Sequence, residues 1–230
     1  MFSWTEFFWP SSAVRRRKNQ AVREAEHLKN ALTSNFSSTN YLSDFLNSQV
    51  PDANLAHIFL DPSKSFAENA RTLSSQAHAI KTLIDKLDKK IKIQLEPHLY
   101  ERIINHNTSF EDRIEAAREM SKASVDITSD TVIGVVGKLV SKNYIQMLTS
   151  RTAQFATTPL AIAIGTDLSA VAADKLVDTV TAAAKSDNAD DGILELRVLV
   201  QGYTADSAEF SDTIHELLAD VTVWNKYHAR

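Results

Sequence analysis

The sequence predicts an all-α fold: an elongated antiparallel bundle of about four long helices preceded by shorter N-terminal helices. Three observations carry that reading. Ile193, Leu196, Val200, Tyr203, Ser207, Phe210, Ile214, Leu217, Val221, Trp224 and His228 step by alternating threes and fours, which keeps one stripe on a single helix face. No apolar-polar alternation is sustained over a strand's length, and all five glycines (Gly134, Gly137, Gly165, Gly192, Gly202) fall after residue 133. Most of the five prolines stand where helices begin, where a missing N–H costs nothing because it would have had no partner.

The first 60 residues read as short helices separated by Asn-, Asp- and Ser-rich turns at 34–40 and 47–54. A long helix over 62–95 follows, opened by Asp61-Pro62 and striped by Leu73, Ala77, Ile80, Ile84, Leu87, Ile91 and Leu95. Glu96-Pro97 marks a further start. The helix over 109–149 is introduced by Asn107-Thr108-Ser109, with Ser109 and Asp112 at the spacing of a capping box that uses aspartate in place of glutamate. Its stripe runs through Ile114, Ala117, Ser121, Val125, Thr128, Val132, Val135 and Leu139.

Thr158-Pro159 opens the helix over 159–185, whose alanines between 161 and 184 let backbones approach closely. It reads as the most buried helix, facing Gly134 and Gly137 on the preceding arm. A turn over 186–191 leads to the last helix, 191–227. Connections of a few residues make sequential long helices antiparallel neighbours. The chain reads as a single helical domain over 1–230, with 1–18 as an anchoring segment.

With 43% hydrophobic residues in 230, the chain has ample material for a core, and a net charge of -4 argues against a molecule built to neutralise nucleic acid. The charge is uneven: residues 1–30 carry six basic and three acidic groups, and residues 165–230 carry five and twelve. Absence of cysteine excludes disulfides, thiolate metal sites and a cysteine nucleophile. No positive charge precedes the N-terminal apolar stretch and Glu6 interrupts it, so it does not read as a secretory signal. The uncharged run between Arg151 and Asp167 is too short to span a bilayer. The expectation is an intracellular protein, cytoplasmic or peripheral to a membrane, without a transmembrane helix.

Five of the first nine residues are aromatic (Phe2, Trp4, Phe7, Phe8, Trp9), and Arg15, Arg16, Arg17 and Lys18 follow Pro10. Aromatic rings bury a large area with few torsions to freeze, and adjacent cations favour a negatively charged surface. Trp4, Phe7 and Phe8 share a helical face, whereas Phe2 and Trp9 fall nearer Ser3, Thr5 and Glu6. The aromatics therefore read either as an anchor outside the fold or as a plug for its end. If Ser11 or Ser12 caps a helix, the basic run opposes the macrodipole at about 0.3–1 kcal/mol per charge. Helix stability then gives no reason for the run, although simple solvation of a helix surface does.

Lys81, Lys86, Lys89, Lys90 and Lys92, relieved by Asp85 and Asp88, read as a solvated face or as a second electrostatic contact, reinforcing the first if the two lie side by side. Glu24-x-x-His27 and Asp212-x-x-His215 have the spacing of di-iron bundle ligands, but no further glutamate interrupts the apolar seams, and both read as solvated. His57, His78, His98, His106 and His228 show no ligand spacing. Lys138 after Gly134 and Gly137 departs from the Walker pattern, and the apolar flanks suit helix packing better.

These observations support a non-enzymatic helical protein without a metal or cofactor. It acts by association at an anionic membrane surface through Trp4, Phe7, Phe8, Trp9, Arg15, Arg16, Arg17 and Lys18. The alternative is a structural or adaptor subunit that self-assembles through its heptad seams or binds a protein partner; the third reading is a metal- or ligand-binding bundle.

Overall fold

Small and apolar residues at helical spacing bury one face of a 40-residue helix, α1 (Pro10–Gln49), through Ala21, Ala25, Leu28, Leu32, Phe36, Leu42 and Leu46. The computed structural model describes residues 10–105, 108–121, 136–138 and 189–228. The remaining helices are α2 (Phe66–Gln94), α3 (Pro97–Ile104), α4 (Phe110–Ser121) and α5 (Ala189–His228), and Val136–Lys138 is also helical. The described residues form no β-strand. Most of the 109–149 helix beyond Ser121, and all of the 159–185 helix, lie outside the described residues.

One expected break is absent and one expected helix start is displaced. The polar segment 34–40 continues α1, because its small polar side chains sit on the buried face: Asn35, Ser38 and Thr39 are all buried. Ser38 donates through Oγ to Ser211 Oγ on α5 at 3.1 Å. Tertiary burial here overrides a local preference for turns. Asp61-Pro62 precedes the helix start by several residues. The Asp61 carboxylate instead accepts the Ser63 backbone N–H at 2.9 Å and its hydroxyl at 2.6 Å. α2 begins under a reciprocal cap, in which Glu68 Oε2 accepts the Ser65 N–H at 2.8 Å and the Glu68 N–H reaches Ser65 Oγ at 3.3 Å.

Two of the other starts hold, and Thr158-Pro159 lies outside the described residues. Pro97 opens α3 after Glu96, and Ser109 Oγ accepts the Asp112 N–H at 3.1 Å at the start of α4. The expected turn after residue 47 ends α1, with Asp52 and Asn54 at φ 63° and 48°, a region these two residue types enter more readily than most.

The chain packs as two compact units, 1–34 with 59–72 and 151–208, and 35–58 with 73–150 and 209–230. In the first, the α1 row from Ala21 to Leu32 is buried, as are Phe66, Ala70, Ile193, Leu196 and Val200, and Phe66 meets Tyr203 edge-on at 6.1 Å. In the second, Leu42, Leu46, Ile80, Ile84, Ile103, Phe210, Ile214 and Leu217 share one core. There Ser38 pairs with Ser211 and Tyr41 lies 5.6 Å from His215, so α1 and α5 run in the same direction. These two helices stand at opposite ends of the sequence with no short connection to force them antiparallel.

The segment between α1 and α2 has little regular structure of its own, yet its peptide groups are satisfied by side-chain amides. Asn47 donates to the Leu55 carbonyl and accepts the Leu55 N–H, both at 2.8 Å. Asn40 brackets Ile58 in the same way at 2.8 and 2.9 Å, and Asn69 brackets Asp61 at 2.9 and 2.8 Å. Gln76 adds a bond to the Ala56 carbonyl at 2.7 Å. Asn40 and Asn47 are seven residues apart, two helical turns, which places both on one face of α1. Each amide presents a donor and an acceptor as a neighbouring strand would.

Candidate functional site

Of the predicted anchoring residues, Trp4, Phe7, Phe8 and Trp9 lie outside the described residues, and Arg15, Arg16, Arg17 and Lys18 lie in α1. Because α1 runs from Pro10, neither Ser11 nor Ser12 caps it, and Arg15 comes after the first turn. The macrodipole acts within that turn, so the unfavourable placement inferred from sequence largely disappears. What remains is how the run is divided between faces. Ala13 and Ala21 are buried, Arg15 and Arg16 are exposed, and Arg17 and Lys18 are half-buried at the edges of the packed face. Arg16, Arg17 and Lys18 each already interact within the chain. The run is thus two outward guanidinium groups flanked by two cations at the border of the core.

The second basic run lies on α2, in the other compact unit. Lys86, Lys89, Lys90 and Lys92 are exposed and Lys81 is half-buried. Lys81 is paired with Asp85 at 2.5 Å, and Lys92 stands 5.5 Å over the Tyr100 ring. Tyr100 donates its hydroxyl to Asp88 at 2.9 Å, and burial, reinforced by that bond and by the charge of Asp88, pushes its pKa up to about 12.

The residues at metal-ligand spacing have other partners. Glu24 is buried at 8% exposure rather than solvated; its Oε1 accepts from Arg197 Nε at 3.0 Å, and His27 lies 3.9 Å from its other oxygen. His215 packs beside Tyr41, and His57 contacts Asp44 at 2.5 Å. No group of three or more His, Asp or Glu side chains converges among the described residues.

Lys138, after the glycine pair, bonds Asp220 on α5 at 3.2 Å and lies 5.9 Å over the Phe110 ring. Gly137 fits against α3: a Cβ there would stand 2.5 Å from the Ile103 carbonyl oxygen. Its expected neighbour, the alanine-rich segment, lies outside the described residues. These contacts give Gly137 and Lys138 a packing role.

Sequence reasoning missed Arg113. It is 3% exposed, and its Nη2 donates to the Asn105 carbonyl at the end of α3, whereas Nε and Nη1 find no partner among the described residues. Burial pushes its pKa below the ordinary value. The charged surroundings FEDRIEAARE concealed it, since nothing local distinguishes this arginine from Arg118.

The described helices define an all-α, cysteine-free protein, and none of them is long and apolar enough to cross a membrane. No protein-family model matches the chain, and no solved structure matches it.

Proposed function

We propose that the protein is non-enzymatic, works inside the cell and acts by association at an anionic membrane surface, with Trp4, Phe7, Phe8 and Trp9 as the apolar anchor and Arg15–Lys18 as the electrostatic one. The observation that carries this reading is the exposure of Arg15 and Arg16 on the outward face of α1, directly after the aromatic run in sequence. A cation near an anionic leaflet contributes about 1 kcal/mol, so two to four of them give weak attraction that apolar insertion makes durable.

The test is co-sedimentation of the full chain with phosphatidylserine-containing vesicles, beside a variant carrying Arg15→Gln, Arg16→Gln, Arg17→Gln and Lys18→Gln. Binding that falls at least tenfold in the variant, and is absent on phosphatidylcholine alone, supports the proposal. Equal binding by both proteins removes it.

A second reading, self-assembly, is favoured by one different observation. The α5 seam from Ile193 to Val221 is buried within the chain, so it offers no free surface, but Leu194 and Val198, one turn apart on α5, are 59% and 62% exposed. Light scattering over a concentration series tests it; a mass that stays monomeric throughout removes it. The antiparallel pairing of 109–149 with 159–185 in an elongated bundle is proposed on the same sequence grounds as before. Inter-residue distances from paired spin labels on those two segments would test it.

A further inference from the structure

We propose that α1 and α2 carry a site that reads the main chain of an extended peptide, and that at high protein concentration residues 55–58 of a second copy of this chain fill it in place of the chain's own. The site lies within one compact unit and stands on contacts independent of the membrane reading. Asn47 both donates to and accepts from the Leu55 peptide groups, Asn40 treats Ile58 alike, and Gln76 Nε2 donates to the Ala56 carbonyl at 2.7 Å. Gln76 is itself buried, and its amide nitrogen also reaches Ser43 Oγ on α1 at 3.1 Å, which fixes its direction.

The two asparagines are in step with the peptide. Leu55 and Ile58 are three residues apart, one turn of a threefold, polyproline-like path, so both present the same edge to α1. Three residues of such a path rise about 9 Å, and the seven from Asn40 to Asn47 rise about 10 Å along the helix. Burial follows the same period: Leu55 is buried and Ile58 half-buried, whereas Ala56 and His57 between them are exposed. Main-chain bonds therefore supply the hold, and selection falls on an apolar residue at every third position.

None of these bonds depends on the segment belonging to the same molecule. What does depend on it is the corner after α1, where Asp52 and Asn54 take φ of 63° and 48° to turn the chain back. Left-handed backbone is disfavoured for L-residues, although Asp and Asn enter it more readily than most. Opening the corner relaxes both residues and lets α1 of one copy receive residues 55–58 of another, with every bond of the site remade. Exchange of an identical element is a low-cost route to a dimer, and a short hinge under strain favours it. The chain's own segment is held at high effective concentration, so the exchanged form requires concentrated protein.

The chain contains no cysteine, which allows a direct test. His57 Nε2 and Asp44 Oδ1 are 2.5 Å apart, so Asp44→Cys and His57→Cys placed in separate full-length chains report which molecule supplies the segment. The two variants are refolded together at low and high protein concentration, checked for unchanged helical circular dichroism and treated with a short bis-maleimide; a chain carrying both cysteines is the control. The control cross-links within itself when dilute, and the mixture gives a covalent dimer only after concentrated refolding. Asp52→Gly with Asn54→Gly, which removes the strain at the corner, lowers the dimer yield severalfold, and Asn47→Ala in both chains lowers it further. An internally cross-linked control with no covalent dimer from the concentrated mixture overturns the proposal. A dimer whose yield is unchanged by Asn47→Ala overturns it as well, because the two copies then meet without using the site.

Discussion

Asn40 and Asn47 are the points at which the segment between α1 and α2 is held, and replacing them tests that statement directly. Asn47→Ala removes two hydrogen bonds of 2.8 Å to Leu55, and Asn40→Ala removes bonds of 2.8 and 2.9 Å to Ile58. A hydrogen bond contributes a net of about 1 kcal/mol, so each substitution costs about 2 kcal/mol, somewhat less for Asn47, which is more exposed. The two sites lie about 10 Å apart along α1, and their effects add to roughly 3–4 kcal/mol in the double variant.

Chemical denaturation followed by circular dichroism measures the loss, and limited proteolysis reports whether cleavage moves into residues 51–61. Asn47→Asp sharpens the test. The carboxylate keeps the acceptor for the Leu55 N–H but sets a negative charge against the Leu55 carbonyl, so at neutral pH it costs more than Asn47→Ala, and protonation restores a donor. A double alanine variant within about 0.5 kcal/mol of the parent, the range of ordinary surface substitutions, would refute the reasoning.

Tyr100 holds its proton more tightly folded than unfolded, so its contribution is intact below pH 10.0 and is lost as pH rises from there through about 12. Tyr100→Phe removes that dependence in alkaline denaturation, together with the late component that Tyr100 contributes to the ultraviolet titration of the parent. The Ser65 hydroxyl, followed by its backbone N–H, lowers the pKa of Glu68, so the α2 cap is complete above the ordinary value of 4.5 and is lost as pH falls through the lower folded value. Ser65→Ala therefore destabilises at neutral pH, by about 1 kcal/mol as for other caps, and the gap from the parent narrows in acid melts. A Cβ at Gly202 meets nothing within 4 Å, so Gly202→Ala stabilises α5 by about 0.5–1 kcal/mol, whereas at Gly137 it meets the Ile103 backbone and Gly137→Ala costs about 1–3 kcal/mol. Thermal melts that move both glycine variants in one direction would contradict the assigned packing.

The elements easiest to read were those whose pattern and burial coincide. Ile193, Leu196, Val200, Tyr203, Phe210, Ile214, Leu217 and Val221 were one stripe in sequence and are one buried row in α5. Glu96-Pro97 and Ser109 announced their helices because a proline's missing N–H and a serine's hydroxyl act within one turn. What escaped depends on partners distant in sequence. Asn35, Ser38 and Thr39 look like a turn until Ser211, 173 residues away, makes a close helix contact of them. Glu24 looks solvated until Arg197 reaches it.

The Asn40 and Asn47 amides were legible only as turn formers, since an asparagine signals the same preference whether it bonds its own backbone or a segment folded past it. For the basic run, composition was visible but direction was not: a helix start at Pro10 rather than after Ser12 decides that Arg15 and Arg16 point outward beyond the first turn. The acidic relief expected among the α2 lysines likewise depends on Tyr100, which no spacing rule connects to Asp88.

Trp4, Trp9 and Trp224 are the three tryptophans of the chain, so Trp224→Phe leaves a protein whose emission reports the aromatic segment alone. The measurement is the emission maximum and acrylamide quenching of this variant, taken with and without phosphatidylserine-containing vesicles. If residues 1–18 engage an anionic membrane, Trp4 and Trp9 are quenched readily in solution, then shift to the blue and become protected when anionic vesicles are added, with no change on neutral ones. Emission that is already blue and protected without vesicles, and unchanged by them, would place these rings in the protein's own interior and contradict the proposed function.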